Sequence, residues 1–173
     1  MSTPTVCPLP LFRGPAGPML SPMGTAEFEL RRTVNAPVDA VFARLADIEG
    51  HNDWMPGRRS IHKRSRQTSP GPAGVGTTYV DETAFGKAPG EILEHDAPRR
   101  LLYHWRQTML GRTTAEGWLC YTLEPADGGT AVRHDARLQT YGLYRPATPM
   151  MRRIATRERT TTIDALVASF AGT

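Results

Sequence analysis

Apolar residues recur at helical spacing in two places and alternate with polar ones along most of the remaining chain. Val38, Val41, Phe42 and Leu45 follow the i, i+3, i+4 rule, predicting a short amphipathic helix over residues 37–46, with Asn35 as its cap and Pro37 in its first turn. A further helical turn holds Ile48 and ends near Trp54. Before them, Phe28 and Leu30 alternate with Glu29 and Arg31 as a first strand. After them come strands over residues 60–67, 77–85, 91–95, 100–108, 113–124 and 130–140. Breaks rich in Gly, Pro and Asp separate these strands, among them residues 69–74, 86–90 and the hairpin turn Asp127-Gly128.

The second helical stretch covers residues 148–172, with Thr148 as its cap, Pro149 in its first turn and Gly172 as its stop. Met151, Ile154, Ala155, Glu158, Thr162, Ala165, Leu166 and Ser169 fall on one side, while Arg152, Arg153 and Arg159 lie off it. The stripe is apolar at its ends and small or polar in its middle. A helix plugging a solid core carries large apolar residues there, whereas one roofing a hollow tolerates alanine, threonine and an acid. The alternative is a weakly packed surface helix with Glu158 in solvent.

A run of strands with the helices kept apart is an α+β pattern. The chain's 173 residues, 39% of them hydrophobic, suit one domain. Residues 1–25, with Pro4, Pro8, Pro10, Pro15, Pro18 and Pro22, read as a disordered leader, and residues 26–173 as the single folded unit. Met19 and Met23 are further candidate starts.

The net charge of +4 is mild. Part of it clusters at Arg58, Arg59, Lys63, Arg64 and Arg66, which reads as a solvated strand or as a surface for an acidic partner such as a carrier protein or an anionic membrane. No nucleic-acid motif accompanies it, so no nucleic acid is expected. Cys7 lies in the leader and Cys120 in a strand, and no bridge between them is expected. No apolar run approaches the length of a membrane span, and no secretory signal is visible, so the expected location is cytoplasmic. A monomer and a homodimer are equally compatible with the sequence.

Several stretches resemble the polyketide cyclase/dehydratase-like branch of the START/Bet v 1-like superfamily, the helix-grip proteins. They are Val34-Asn35-Ala36-Pro37-Val38-Asp39-Ala40-Val41-Phe42, Ala46-Asp47-Ile48 leading to Trp54, Val75-Gly76-Thr77-Thr78, Asp96-Ala97-Pro98-Arg99-Arg100-Leu101 and Gly128-Gly129-Thr130-Ala131-Val132. The resemblance spans Phe28 to Phe170. It implies a helix-grip fold: a curved antiparallel sheet of six or seven strands wrapped round the long C-terminal helix, with two short helices after the first strand and a cavity between sheet and helix. It also implies a hydrophobic or aromatic small-molecule ligand, and it names no catalytic residue.

Strand alternation assigns the inward side chains. In the last strand the charged face Arg133, Asp135 and Arg137 belongs in water, so Val132, His134, Ala136 and Leu138 point inward. Leu119, Tyr121 and Leu123 are the inward set of the strand before, and Tyr103 and Trp105 of the one before that. Tyr79, Asp81 and Thr83 oppose Val80 and Glu82, and the faces of that strand cannot be told apart. Glu91, Leu93 and His95 should share a face. The candidate ligand wall is therefore Trp105, Tyr103, Leu119, Leu138, Tyr79, Met151, Ala155 and Thr162.

His134 and Glu158 are the candidates for moving a proton, and Tyr121 for steadying an enolate or carbonyl oxygen. A structural role for each is the competing reading. No metal-ligand spacing, phosphate-cradling glycine loop, dinucleotide fingerprint or nucleophile elbow is present, so neither metal nor cofactor is expected. Two functions stand open: a cofactor-independent cyclase, aromatase or dehydratase acting on a polyketide-like or other aromatic precursor, and a non-catalytic carrier or sensor of a lipid-like or aromatic ligand.

Overall fold

The computed structural model describes residues 23–57 and 60–171. β1 (Met23–Val34) is followed by α1 (Val38–Ala46) and α2 (His51–Trp54). Six further strands come next: β2 (His62–Gln67), β3 (Thr78–Thr83), β4 (Gly86–Asp96), β5 (Arg100–Met109), β6 (Arg112–Ala126) and β7 (Gly129–Tyr141). A 3₁₀ turn over Gly142–Ala147 leads into α3 (Thr148–Ala168). The strands form one seven-stranded sheet in the order β1-β7-β6-β5-β4-β3-β2, antiparallel throughout. This is the expected helix-grip arrangement. Most of the leader, residues 1–22, lies outside the described residues, as do Arg58, Arg59 and the expected stop at Gly172. β1 is described from Met23, three residues before the expected boundary.

The inner face of the sheet carries the core. Along β7 every second residue from Thr130 to Thr140 is buried, which is the alternation of a sheet covered on one side. Leu101, Leu123 and Val132 from the sheet meet Val41, Phe42 and Leu45 of α1 and Ile163 and Leu166 of α3. At the other end of the sheet, Ala26, Ala115 and Leu138 meet Trp105, Met151 and Ala155, a set with far less side-chain volume. The C-terminal half of α3 therefore packs solidly, and its N-terminal half does not.

Several local expectations are corrected. Neither helix has a side-chain cap: α1 starts after Pro37 rather than from Asn35, and α3 after Ala147. Thr148 instead donates to the Arg145 carbonyl at 2.6 Å and shares a hydrogen bond of 2.6 Å with Thr140. The break expected at residues 86–90 is the start of β4. Pro89 fits there because residues 86–89 pair with β3 alone, so its missing N–H removes no second ladder bond. A bulge between Ile92 and Glu94 resets the parity of β4. Glu91 consequently lies beside His104 on the outer face, whereas His95 turns inward against Phe42, with ring centroids 5.0 Å apart. Cys120 is buried and disulfide-bonded, contrary to expectation. Strand position says nothing about what reaches a strand's outer face, and Cys7, the chain's other cysteine, lies outside the described residues.

Lys63, Arg64 and Arg66 are exposed on β2, an edge strand, where charge discourages strand-to-strand association. Among the described residues no helix is long and apolar enough to cross a membrane.

Because Leu166 is fully buried between α1 and the sheet, Leu166→Ala should cost about 2–5 kcal/mol in urea unfolding. Met151→Ala, in the loosely filled half, should cost clearly less.

Candidate functional site

A cavity of about 190 Å³ lies between the inner face of the sheet and the N-terminal half of α3. Trp105, Leu119, Leu138, Met151, Ala155 and Thr162 line it, together with Phe28, Ile61, Phe85 and Ile154. The indole of Trp105 lies across Gly117 of the neighbouring strand, and a Cβ on Gly117 would collide with it. A glycine inside a strand often marks such a close approach.

Tyr79, Tyr103 and Tyr121 sit deeper, around a second space of about 30 Å³, room for about one water. Tyr79 donates to the His104 carbonyl at 3.2 Å and Tyr103 to the Leu45 carbonyl at 2.7 Å. Both hydroxyls are bound to backbone behind the cavity wall, so neither tyrosine lines the main cavity as expected. Burial pushes both well above the ordinary phenol value.

The polar centre of the site is Arg159, which sequence periodicity placed off the inward stripe. Its Nη2 donates to the Tyr121 hydroxyl, and its Nε donates to His134 Nε2 at 3.3 Å. The buried face of α3 runs through Thr162, Ile163 and Leu166, rotated by roughly 60° from the expected stripe, which brings position 159 to the interior. The long arginine stem then carries the guanidinium beneath the helix. Arg159 lines both spaces and has no ion-pair partner among the described residues.

His134 faces inward but does not reach the cavity. It is fully buried and stacks on Tyr121, with ring centroids 4.4 Å apart. Since Nε2 accepts from Arg159, Nδ1 carries the proton and donates to the Cys120 carbonyl at 3.2 Å. Burial, reinforced by the Arg159 charge, holds its pKa well below the ordinary 6.5. A neutral imidazole with both nitrogens occupied positions Arg159; it does not exchange protons with a ligand. Burial also raises Tyr121, opposed by Arg159.

Glu158, the other expected proton carrier, points to the opposite wall. It accepts from the Ser60 hydroxyl, from the Ile61 N–H at 3.1 Å and from the His62 N–H at 3.5 Å. It lines the cavity while fastening the start of β2 to α3. Beside it, His62 Nε2 donates to Ser65 Oγ at 2.8 Å, and Ser65 Oγ donates to Asp81 at 2.6 Å. His62 and Asp81 both line the cavity, and alternation alone left the face of Asp81 undecided. Among the described residues no group of three or more His, Cys, Asp or Glu could hold a metal.

The family model described as polyketide cyclase/dehydrase and lipid transport matches residues 25–171. The chain belongs to this family. The family and fold together place it in the START/Bet v 1-like superfamily and support binding of a hydrophobic small molecule in the cavity. A protein from Rhizobium leguminosarum superposes with a TM-score of 0.65 at 13% identity, over 87% of this chain and 97% of that one. Ara h 8.0201 gives 0.65 at 17% identity, over 87% and 100%. The di-domain ARO/CYC StfQ from the steffimycin biosynthetic pathway gives 0.67 at 14% identity, over 85% of this chain and 50% of that one. At these identities the likeness is one of fold. No curated protein matches the chain.

The histidine has a measurable signature. His134 stays neutral in the folded chain, whereas the unfolded chain takes up a proton as pH falls below about 6.5. Its contribution is complete above that pH and declines below it. His134→Gln should therefore reduce the loss of stability on acidification from pH 7.5 to 5.5 by about 1.4 kcal/mol in total in urea unfolding, as the unfolded histidine goes from mostly neutral to mostly charged.

Proposed function

We propose that the protein binds a small, largely apolar molecule with one acidic or enolisable oxygen, and acts on it as a cofactor-independent cyclase or dehydratase. The observation that carries this reading is Arg159: a cation facing an apolar cavity, held by two neutral partners and by no carboxylate among the described residues. Of the two carboxylates that also line the cavity, Glu158 is taken up by Ser60, Ile61 and His62 and Asp81 by Ser65, so the Arg159 guanidinium is the charged donor left to favour an anionic oxygen brought by a ligand. The cavity volume of about 190 Å³ suits a single ring or a short chain; a cavity of about 150 Å³ is known to hold benzene.

In the reaction His62 is the group placed to move a proton, with Ser65 and Asp81 behind it. It takes the proton α to a carbonyl, and the charge left on the oxygen is met by Arg159 and Tyr121. For a β-hydroxy carbonyl, the electron pair then forms the new double bond. The C–O bond breaks, and the proton held by His62 leaves with the hydroxyl as water. For a cyclisation, the same enolate carbon attacks a second carbonyl, and the proton returns to the new alkoxide.

A non-catalytic carrier is the second reading, favoured by the engagement of His134, Glu158 and His62 in hydrogen bonds within the protein. The two separate on substitution. Arg159→Gln should weaken binding of a small aromatic carboxylate about 10–100-fold, read by tryptophan fluorescence, and leave a neutral analogue of the same shape almost unchanged. Equal losses for both ligands would remove the anion-binding role. His62→Gln should preserve binding in either case and abolish turnover of a β-hydroxy carbonyl substrate only if the protein is an enzyme.

A further inference from the structure

The molecule has one apolar end. Of the large hydrophobic side chains exposed among the described residues, all but Val75 lie there. Phe85 stands at the tip of the β3–β4 hairpin, Met109 and Leu110 at the β5–β6 tip, Leu143 and Tyr144 in the turn that leads into α3, and Met150 in the first turn of α3. These segments are neighbours: the Tyr144 hydroxyl contacts Met109 Sδ at 3.0 Å, and a Cβ on Gly86 would come within 3.9 Å of Gln107. Leu110 and Leu143 are 98% and 96% exposed.

The tip of β5–β6 is costly as built. Leu110 has φ of 50° and Gly111 of 74°, a two-residue turn that Asn-Gly would fill with less strain. A leucine there is neither favoured by the backbone nor buried by the fold.

The charge at this end is mainly positive, with Glu82 opposite Lys87 in the β3–β4 ladder. Residues 84–90, 107–115 and 141–153 contain Lys87, Arg112, Arg145, Arg152 and Arg153, and no Asp or Glu. The cavity wall reaches the same end through Phe85, Gln107 and Met151.

We propose that this end docks on an anionic phospholipid surface, with the three loop tips in the acyl boundary and the arginines at the headgroups. The apolar side chains stand on separate protruding tips rather than along a groove. A fluid apolar phase accepts such a shape directly, whereas a protein partner needs matching pits. Cationic side chains around apolar tips match the two layers of an anionic bilayer face. The arrangement would let an apolar ligand pass between bilayer and cavity without crossing water. This goes beyond the reaction proposed above and does not depend on it.

The test is co-sedimentation of the full chain with vesicles of phosphatidylcholine alone or mixed equally with phosphatidylglycerol, at low and high salt. Binding should require phosphatidylglycerol and weaken with salt. Leu110→Asp with Leu143→Asp should weaken it about tenfold. Asp is tolerated at the positive φ of position 110 and both side chains are exposed, so the thermal melt should be unchanged. Arg152→Glu with Arg153→Glu should weaken binding about tenfold as well and remove much of the salt dependence. Failure to sediment with the mixed vesicles would overturn the proposal, as would sedimentation indifferent to the tip substitutions. Capture of an acidic carrier protein by the same residues, without vesicle binding, would also overturn it.

Discussion

The cavity exists because the N-terminal half of α3 is held by polar ties instead of apolar packing. At its first turn Thr148 bonds to Thr140, across a gap that Gly24 leaves open for it. About three turns on, Glu158 reaches the start of β2 and Arg159 reaches Tyr121 and His134 on β6 and β7. These adjacent residues project to opposite walls and straddle the space between them. Met151, Ile154 and Ala155 are then free to line a hollow. Further along, Ile163 and Leu166 return to ordinary burial and supply the packing that the first half lacks.

This division explains what the sequence could and could not disclose. Strand alternation placed His134, Tyr121, Leu138 and Trp105 on the inner face because the charged residues between them have only one comfortable side. The same logic failed in β4, where a bulge between Ile92 and Glu94 breaks the period of two and separates Glu91 from His95. No local signal in the sequence marks that bulge. Helical periodicity puts the arginine that organises the site off the inward stripe. Its position four residues from both Ala155 and Ile163 was the available clue.

The roles of the candidate residues also moved. Parity says which way a side chain points and nothing about what it bonds once there. His134 is inward, yet its bonds to the Cys120 carbonyl and Arg159 leave it no free nitrogen. Glu158 is on the helix face that meets the cavity, yet three donors from Ser60 to His62 occupy it. Conversely, His62 had no motif to recommend it: the irregularity in β2 between His62 and Arg64 lets it meet Ser65 on its own strand, and only the pairing of β2 with β3 sets Asp81 opposite Ser65. Such a cluster belongs to tertiary structure, because its carboxylate comes from a different strand.

Arg159 and His134 together bear on why a half-buried cation stands where apolar packing would give a firmer core. A guanidinium in poor solvent is costly unless its donors are met, and replacing it with an aliphatic side chain would remove that cost. Two of its donors are met by Tyr121 and His134, and neither partner carries charge. The hydrogen bonds fix its direction without neutralising it. A carboxylate in the place of His134 would hold the arginine at least as firmly and would cancel the field in the cavity. On the proposed reading, the neutral histidine is the partner that orients the cation without pairing its charge, leaving it to attract an incoming oxygen.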